Sequence, residues 1–432
     1  MFSSSIPTTT ATNEPAGLVD DVLTFILLSI AVSGGDFKSD CFKWWSKAIR
    51  LALSLKLHRE DERCAATVAP CVNPLCSCRR DPETDSIANL ESREERRRVF
   101  WMLYCLDRHL SLSFNTVLYI PDSYCEVYGK NRASSSPSPQ SCVLNDRHVP
   151  APLPEAIWEN LDSIPTRDLP TRVIGPPTTV SGTGFLEYFL PLMAILGDII
   201  EIHHRRQHPR LGGLDDSQAV RAVTDQLANC ERSIDRLARE IDGGDYLAPS
   251  ASSRSVPSIH DLTNGSSSGI GVLNPTPPLA RAAAAPPPSH ATRGGSRLKL
   301  ATAYSTLILH VLHVLLHGKW DAISMLDDDD DWITSPRFNS CATHSIAASE
   351  AVSSILQSDP ELTFMPYLFG IYLLHGSFIL LLFADRMPQL GPNQSVEQAC
   401  ETIIRAHEVC VVTLSTEFQV CPDRLVSSHI RR

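Results

Sequence analysis

An unbroken run of five aspartates, Asp327 to Asp331, is the part of this sequence that most directly suggests chemistry. Carboxylate oxygens are the ligands that Mg²⁺ prefers, and all-helical prenyl and terpene synthases hold magnesium diphosphate with an aspartate-rich turn. No second acidic motif lies at a suitable distance, and the run follows Lys319 and Trp320 in a predicted loop. We therefore interpret it as a solvated acidic turn, with a magnesium-dependent prenyl or terpene-type enzyme as the alternative.

Three histidines, His310, His313 and His317, recur at helical spacing and lie on about one helix face. Three imidazoles on one face have the chemistry to bind zinc or copper. No neighbouring carboxylate is present to orient the rings, as metal-bound histidines usually require. The pattern favours hydrogen-bonded histidines along a core helix, and we assign no metal ligand here.

Four cysteines, Cys64, Cys71, Cys76 and Cys78, lie in a polar connection, and the last three give the spacing C-x4-C-x-C. That spacing does not match the C-x2-C pairs that hold tetrahedral zinc, so we interpret the segment as a loop. P-loop and H-E-x-x-H patterns are also absent. The sequence therefore offers no catalytic residue and no cofactor-binding residue.

A basic cluster, Arg96, Arg97 and Arg98, has the chemistry to contact phosphate or to serve as a nuclear import signal. Glu94 and Glu95 are interleaved with it at helical neighbour spacings. We therefore expect the arginines to form ion pairs within a solvated first helical turn.

The helix that carries these arginines is predicted to run from Ser92 to Asn115. Ser92 and Glu95 have the spacing of a capping box, which places the helix start at Ser92. An apolar block that includes Trp101 follows, with no polar face, as in a helix buried on most sides. Asp107 and Arg108 come directly after the block, and such a pair must be mutually paired or reach solvent to avoid a large desolvation cost. We expect this pair to hold the helix against its neighbours.

The chain has 432 residues, 43% of them hydrophobic, which is ample for a large core. Its formal net charge of -11 argues against a chain that binds nucleic acid over most of its surface. The 13 cysteines are dispersed, and the first residues do not resemble a signal peptide, so we expect reduced thiols in an intracellular protein.

One segment, Phe364 to Phe383, is as long as the roughly 20 residues that cross a bilayer. It contains His375 and Ser377 and has no polybasic flank. We predict a buried core helix rather than a membrane span.

Helical periodicity recurs along the chain, and no alternating strand pattern bounded by hairpin turns is found, so the predicted class is all-α. Further helices are predicted at about 20–33, 39–57, 184–208, 215–241, 297–317, 336–357, 362–386 and 395–416, the last capped by Ser395 and Gln398.

Composition divides the chain into two helical parts of one multi-helix domain, interrupted by long disordered insertions. The first part is predicted at residues 18–241, with insertions at about 60–91 and 130–182, and the second at 297–419. The remaining segments are a disordered N-terminus at 1–17, a Ser/Pro/Ala/Gly-rich linker at 242–296 and an atypical tail at 420–432.

The stretch EERRRVFWMLYCLDRHLSLSFN, residues 94–115, resembles the hallmark helix of the fungal-specific transcription factor domain, the regulatory middle region of fungal zinc-cluster transcription factors. Within that group the chain is similar to the xylanolytic activators of filamentous fungi. Supporting segments follow in the same order at Asp20 to Glu60, Gly184 to Gly212 and most of His310 to Gln419.

The resemblance implies an all-helical regulatory domain of a nuclear activator that controls polysaccharide-degradation genes. It also implies DNA, transcriptional co-regulators and a second copy of the chain as partners. The family's zinc cluster, two C-x2-C-x6-C triplets, is not found in these 432 residues, so zinc and direct DNA contact are expected only from a module outside them. The residues after Gln419 also depart from the family, and we expect the chain to be a fragment or a shortened product.

Overall fold

The fold is known from a computed structural model, which describes residues 18–33, 38–58, 87–122, 149–242, 290–320, 324–325, 332–364, 366–390 and 393–413. The α-helices within these ranges are α1 Leu18–Ser33, α2 Lys38–Ser54, α3 Ile87–Phe114, α4 Glu155–Trp158, α5 Phe185–Arg206, α6 Ser217–Asp242, α7 His290–His317, α8 Pro336–Ser358, α9 Pro366–Leu390 and α10 Gln394–Thr413. Apart from an isolated bridge between Pro150 and Ile174, these ranges contain no β-pairing. The predicted all-α class is confirmed.

Two helices lie at the centre of the core. Helix α7 packs against α5, α6, α8 and α9, and α3 packs against α5 and also contacts α1, α2 and α9. Both are apolar around much of their circumference, which is why neither shows a strong amphipathic pattern. Helices α1 and α2 form the predicted hairpin, in which the rings of Phe25 and Trp44 stack with centroids 5.6 Å apart.

The predicted start of α3 at Ser92 is wrong. The helix begins at Ile87, so Ser92 lies in its second turn and does not cap it. Residues 87–91, IANLE, contain neither glycine nor proline and continue the helix toward the N-terminus. A capping-box spacing inside a longer run of helix-forming residues therefore does not mark a helix end.

Several other predicted helix starts are also displaced, including that of α7, which begins at His290 rather than Arg297, inside the segment predicted as a linker. Helix α10 begins at Gln394, because the side chain of Asn393 accepts the backbone N–H groups of Ser395 and Val396 at 3.1 and 3.3 Å. Helix α9 begins at Pro366 rather than Leu362, whose φ of 53° lies outside the helical region. The preceding turn is closed by Asp359, which accepts the backbone N–H of Phe364 at 2.8 Å.

Helix α5 continues through Pro191 without a break. Proline cannot donate to the carbonyl four residues earlier, which here belongs to Glu187. That carbonyl instead accepts the backbone N–H of Ser181 at 3.2 Å. The Glu187 side chain accepts the N–H groups of Gly184 and Glu155 at 3.0 and 3.2 Å, which connects the start of α5 to α4.

The predicted insertion at 130–182 is folded in the part that the structure describes. Residues 149–182, termed the strap below, carry α4 and are held by backbone bonds from Ala151 to Val173 and from Gly175 to Val149, at 2.7 and 3.0 Å. The strap lies against α3 through contacts described below. Its prolines suit an irregular segment, but side chains elsewhere fix its position.

Among the described residues, one helix is long and apolar enough to cross a membrane by length and composition, namely Gly295–His317 within α7. The segment Phe364 to Phe383, which has the length of a membrane span, contains only a shorter apolar helical stretch, Phe369–Leu382. Within Gly295–His317, 67% of the most apolar window is buried against other helices, as in the core helix of a globular domain.

Replacing Gly376 by alanine is expected to stabilise the fold. An added Cβ would lie 3.4 Å from Val311 Cγ2 and 4.0 Å from Ala348 Cβ, both ordinary contacts. A glycine inside a helix costs about 0.5–1 kcal/mol relative to alanine, so Gly376→Ala should raise the free energy of unfolding by about that amount in a urea titration.

Gly318→Ala is the matched control for this prediction. Its Cβ would lie 2.6 Å from the backbone oxygen of Val314, so this second substitution should lower the free energy of unfolding. A loss of stability in Gly376→Ala would contradict the close but unstrained packing of α9 on α7.

Candidate functional site

The candidate site is a set of charged side chains on α3 that are buried at both ends of its apolar block. Val99, Phe100, Trp101, Leu103 and Leu106 are each at most 5% exposed. This apolar block fixes α3 in the core and carries the charged residues on either side of it into the core as well. Glu94, Asp107 and Arg108 are all 0% exposed.

At the first end, Glu94 is the centre of an ionic network. Its carboxylate lies 3.3 Å from Arg97 Nη1 and 2.6 Å from Arg172 Nη1 in the strap. It also accepts the backbone N–H of Leu153 at 2.6 Å and lies 3.6 Å from Arg98 Nε. Burial, together with the charge of Arg172, lowers the pKa of Arg97 to about 9.

Arg98 and Trp101 attach the strap to α3 at further points. Arg98 donates to the carboxylate of Glu155 at 2.8 Å and to the carbonyl of Leu153 at 2.9 Å. Its guanidinium also lies 5.0 Å from the ring centroid of Trp158. Trp101 Nε1 donates to the carbonyl of Pro150 at 2.8 Å. The strap is thus held by side chains from three successive turns of α3.

The three consecutive arginines form intramolecular contacts rather than a free basic patch. Arg96 Nη2 donates to the carbonyl of Leu55, just after α2, at 3.0 Å. Arg97 and Arg98 bind Glu94 at the predicted helical spacings. The prediction of a solvated first turn is wrong, because the helix starts earlier and the strap covers this region.

At the second end, Asp107 and Arg108 hold the chain that follows α3. The two carboxylate oxygens of Asp107 accept the backbone N–H groups of Tyr119 and Ile120 at 3.2 and 3.1 Å. Arg108 lies 3.3 Å from Asp107 and 2.6 Å from Asp122, which also accepts the hydroxyl of Tyr104 at 2.8 Å. The pair therefore anchors the 116–122 segment to the helix.

The electrostatics of this end follow from its burial. Desolvation raises the pKa of Asp107 to about 6, despite the Arg108 charge and two backbone donors. Desolvation by itself would lower the pKa of Arg108, but the nearby Tyr104, Asp122 and Asp107 outweigh it and raise this pKa. On α5, Asp198 also has its pKa raised to about 6, by burial and then by the charge of Asp122.

Helix α5 closes over this end at a glycine. A Cβ at Gly197 would lie only 3.2 Å from Arg108 Nε, so the missing side chain allows α5 to pass directly over the guanidinium. The site as a whole contains hydrogen-bonded ion pairs and no nucleophile beside a general base. Its arrangement is suited to fixing the position of α3, not to bond-making chemistry.

The sequence named Asp107 and Arg108 as candidates and Glu94 only as a partner of the neighbouring arginines, and it missed Arg172, Glu155 and Asp122. The first two lie in the strap, and nothing in their local pattern distinguishes them from exposed residues of an irregular segment. Asp122 follows Pro121 in a sequence typical of a turn, and its distance of 14 residues from Arg108 gave no helical spacing to detect. These partners arise from tertiary packing.

The histidines predicted on α7 contact α8. His310 Nδ1 lies 3.0 Å from His344 Nδ1, and the rings of His313 and His344 stack with centroids 4.0 Å apart. In the described part of the chain, no group of three or more His, Cys, Asp or Glu residues is placed to hold a metal ion. The residues present therefore do not fit a zinc site.

Two other sequence patterns lie outside the described residues, and no structure is assigned to them. They are the Asp327 to Asp331 run and the cysteines Cys64, Cys71, Cys76 and Cys78.

Asp107→Ala is expected to lower the free energy of unfolding by about 3–5 kcal/mol, because it removes one of the two carboxylates that pair with the buried Arg108 and leaves the backbone N–H groups of Tyr119 and Ile120 without their acceptor. Urea titration at pH 7 measures this loss. The control is Asp168→Ala, which removes the ion pair between Asp168 and Arg167. The two groups are 3.8 Å apart, and the side chains of Arg167 and Asp168 are 85% and 58% exposed. That change should cost at most about 1 kcal/mol. Equal losses in the two variants would contradict the structural role of the buried pair.

Acid should destabilise the protein from about pH 6.5 downward. Six histidines have pKa values lowered by burial, to about 3 or about 4: His109, His310, His313, His344, His375 and His407. Below pH 6.5 the unfolded chain binds protons that the folded chain cannot, so the free energy of unfolding falls as pH falls.

Burial also lowers the pKa of His317 and raises the pKa of four carboxyl groups, Asp107, Asp198, Glu201 and Glu231, which act in the opposite sense as the pH falls, but the histidines outnumber them. Urea titrations at pH 7.5 and 5.5 should therefore differ by several kcal/mol. His407→Leu should reduce that difference by about 1 kcal/mol. Equal stability at both pH values would show that the buried imidazoles are protonated in the folded state.

Comparison with known proteins gives a family match over part of this chain. Residues 23–127 match the family described as "Fungal specific transcription factor domain". The matched range contains most of α1, all of α2 and α3, and Asp122. It thus includes both charged ends of the buried helix.

Almost the whole chain, 97%, is similar to curated proteins named "Xylanolytic transcriptional activator xlnR". The identity is 35% over 439 residues for the protein of Aspergillus clavatus, 36% over 438 for that of Aspergillus kawachii and 36% over 442 for that of Emericella nidulans. The chain spans 41%, 42% and 43% of these relatives, which is less than half their length. No solved structure matches.

These relatives are transcription factors and not enzymes, so the comparisons give no support to the magnesium-dependent alternative. The similarity is continuous along the chain and includes the helix on which the buried ionic network is built. Residues 23–127 therefore match the fungal specific transcription factor domain, and the chain as a whole is similar to part of the xylanolytic transcriptional activators.

Proposed function

We propose that this chain is the regulatory domain of a fungal transcription activator of the xylanolytic type, which controls genes for polysaccharide degradation. The observation that carries the proposal is the similarity of 97% of the chain to xylanolytic transcriptional activators at 35–36% identity. The match of residues 23–127 to a transcription factor domain supports it independently.

The geometry of α3 is consistent with a regulatory rather than a catalytic role. Its buried charges connect the helix to the strap, to the end of α2 and to the 116–122 segment. A domain built this way has one strongly preferred arrangement, and any other arrangement must break buried ion pairs. Such a cost is the physical requirement for a two-state regulatory element.

The proposed location is the nucleus, and the proposed partners are DNA, transcriptional co-regulators and a second copy of the chain. DNA binding would come through the zinc-cluster module of the family. Cysteines in the described residues, such as Cys41, Cys105, Cys230 and Cys341, are buried on separate helices and do not form such a cluster. Zinc is therefore proposed for that module and not for these helices.

A reporter assay tests the regulatory role. The whole chain is placed between a heterologous DNA-binding domain and a heterologous activation domain and is expressed in a filamentous fungus that carries the matching reporter. Reporter output should differ several-fold between growth on xylan and growth on glucose. A fusion that lacks the chain should give the same output on both carbon sources.

Variants of the chain sharpen this assay. Asp107→Ala should abolish the difference between carbon sources, because it releases the segment held to α3, whereas Asp168→Ala should preserve it. Immunoblotting measures how much of each fusion accumulates, and microscopy shows whether it is in the nucleus. Equal output on both carbon sources from an abundant, nuclear fusion of the unaltered chain would overturn the proposal.

A further inference from the structure

A cleft of about 520 Å³ opens between α1, α3, α4 and α5, on the side of α3 next to the strap. Its volume lies within the range of about 300–1,000 Å³ that is typical of small-molecule sites. Its walls are mainly apolar side chains: Leu23, Ile26, Leu27, Ile30, Met102, Leu106, Phe185 and Phe189. Sequence patterns did not indicate it, because each wall comes from a different helix.

Some of this apolar surface is exposed in the folded chain. Leu27 is 57% exposed and Phe185 is 36% exposed, although both are large apolar residues on well-formed helices. Exposure of this kind is unfavourable in water unless something covers it. A bound apolar molecule would remove both side chains from solvent at once.

The charged groups at the cleft have both signs. Arg297 lies on one side, and Glu155 and Glu159 come from α4 on the other. Glu155 is already paired with Arg98 at 2.8 Å, which leaves one cation and one carboxylate as lining groups with no strong preference for a charged ligand. The cleft therefore selects its occupant by apolar surface.

A sugar does not suit these walls. Each hydroxyl group that leaves water needs a new hydrogen-bond partner, and an unsatisfied one costs on the order of 1–3 kcal/mol. The polar side chains of the lining, Thr183, Tyr188, Glu155, Glu159 and Arg297, are a minority, and the leucine, isoleucine and phenylalanine side chains provide no hydrogen-bond partner. The relatives are named for xylan-related activation, but this cleft is not built for a pentose or its oligomers.

We propose that the cleft binds a neutral, predominantly apolar small molecule of the terpenoid or aromatic type. Its occupant would touch Met102 and Leu106 of α3 and lie beside Glu155, the carboxylate that holds Arg98. Binding would thus act on the helix and on one of its ionic links to the strap. That consequence rests on the regulatory function proposed above, whereas the binding itself does not.

Fluorescence titration of the purified full chain tests the binding. The probe is N-phenyl-1-naphthylamine, a neutral aromatic molecule whose emission rises in apolar surroundings, and its sulfonated analogue 1-anilinonaphthalene-8-sulfonate provides the charged comparison. We expect saturable binding of the neutral probe at one site per chain, with D-xylose unable to displace it. Displacement by xylose, or no saturable binding, would overturn the proposal.

Variants locate the site. Leu27→Trp places a large side chain in the cleft from an exposed position, so it should lower the affinity for the neutral probe by about tenfold or more. Leu214→Trp is the control, since Leu214 is 59% exposed and lies outside the cleft. Leu27→Asn, a smaller polar change, should also weaken binding, and circular dichroism verifies that each variant is folded. Unchanged affinity in both Leu27 variants would place the probe elsewhere.

Charge variants test the ligand class. Arg297→Gln and Glu159→Gln should each leave the affinity for the neutral probe unchanged, with Lys299→Gln on the same helix as a control. If the sulfonated probe binds more tightly than the neutral one and Arg297→Gln abolishes that preference, the site takes an acid and the proposal is wrong about its ligand. Because these titrations use no DNA or reporter, their failure is distinguishable from failure of the regulatory function.

Discussion

The structure depends on one constraint, which is that the charged residues of α3 are carried into the core by the apolar block between them. Glu94, Asp107 and Arg108 have no exposed surface. An unpaired ion in such a position costs several kcal/mol, so each must find partners of opposite charge or backbone donors. The strap, the 116–122 segment and the end of α2 are positioned where they supply those partners or bind the adjacent arginines.

Buried ion pairs of this kind define geometry more than they add stability. The attraction between the two charges does little more than offset the free-energy cost of their desolvation, whereas removing one partner is strongly destabilising. The apolar contacts of α3 and α7 provide most of the stabilisation, and they tolerate small shifts. The ionic contacts do not tolerate such shifts, because Arg108 must lie 2.6 Å from Asp122 while α5 passes over the guanidinium at Gly197.

Local sequence patterns were sufficient for the class and for most helices, because apolar periodicity survives in a buried all-α chain. They failed where a helix end or a contact is decided by distant residues. Ser92 has a good capping spacing but lies inside α3, and the proline-rich segment from Val149 folds because Glu94, Arg98 and Trp101 bind it. For the candidate site, the sequence required partners for Asp107 and Arg108 but could not name Asp122. The apolar cleft had no sequence signal, since residues of five separate helices, α1, α3, α4, α5 and α7, line it.

Along its apolar block, helix α3 is buried except at Met102, which is partly exposed at the cleft, and this explains how distant features of the domain are connected. Met102 and Leu106 face the cleft, while Tyr104 and Arg108, two residues further along in each case, bind Asp122 on another side. A rotation or translation of the helix that enlarges the cleft must therefore move the ion pairs as well. The close-packed surroundings leave no room for gradual accommodation, so the domain is expected to respond to an occupant of the cleft in a discrete step.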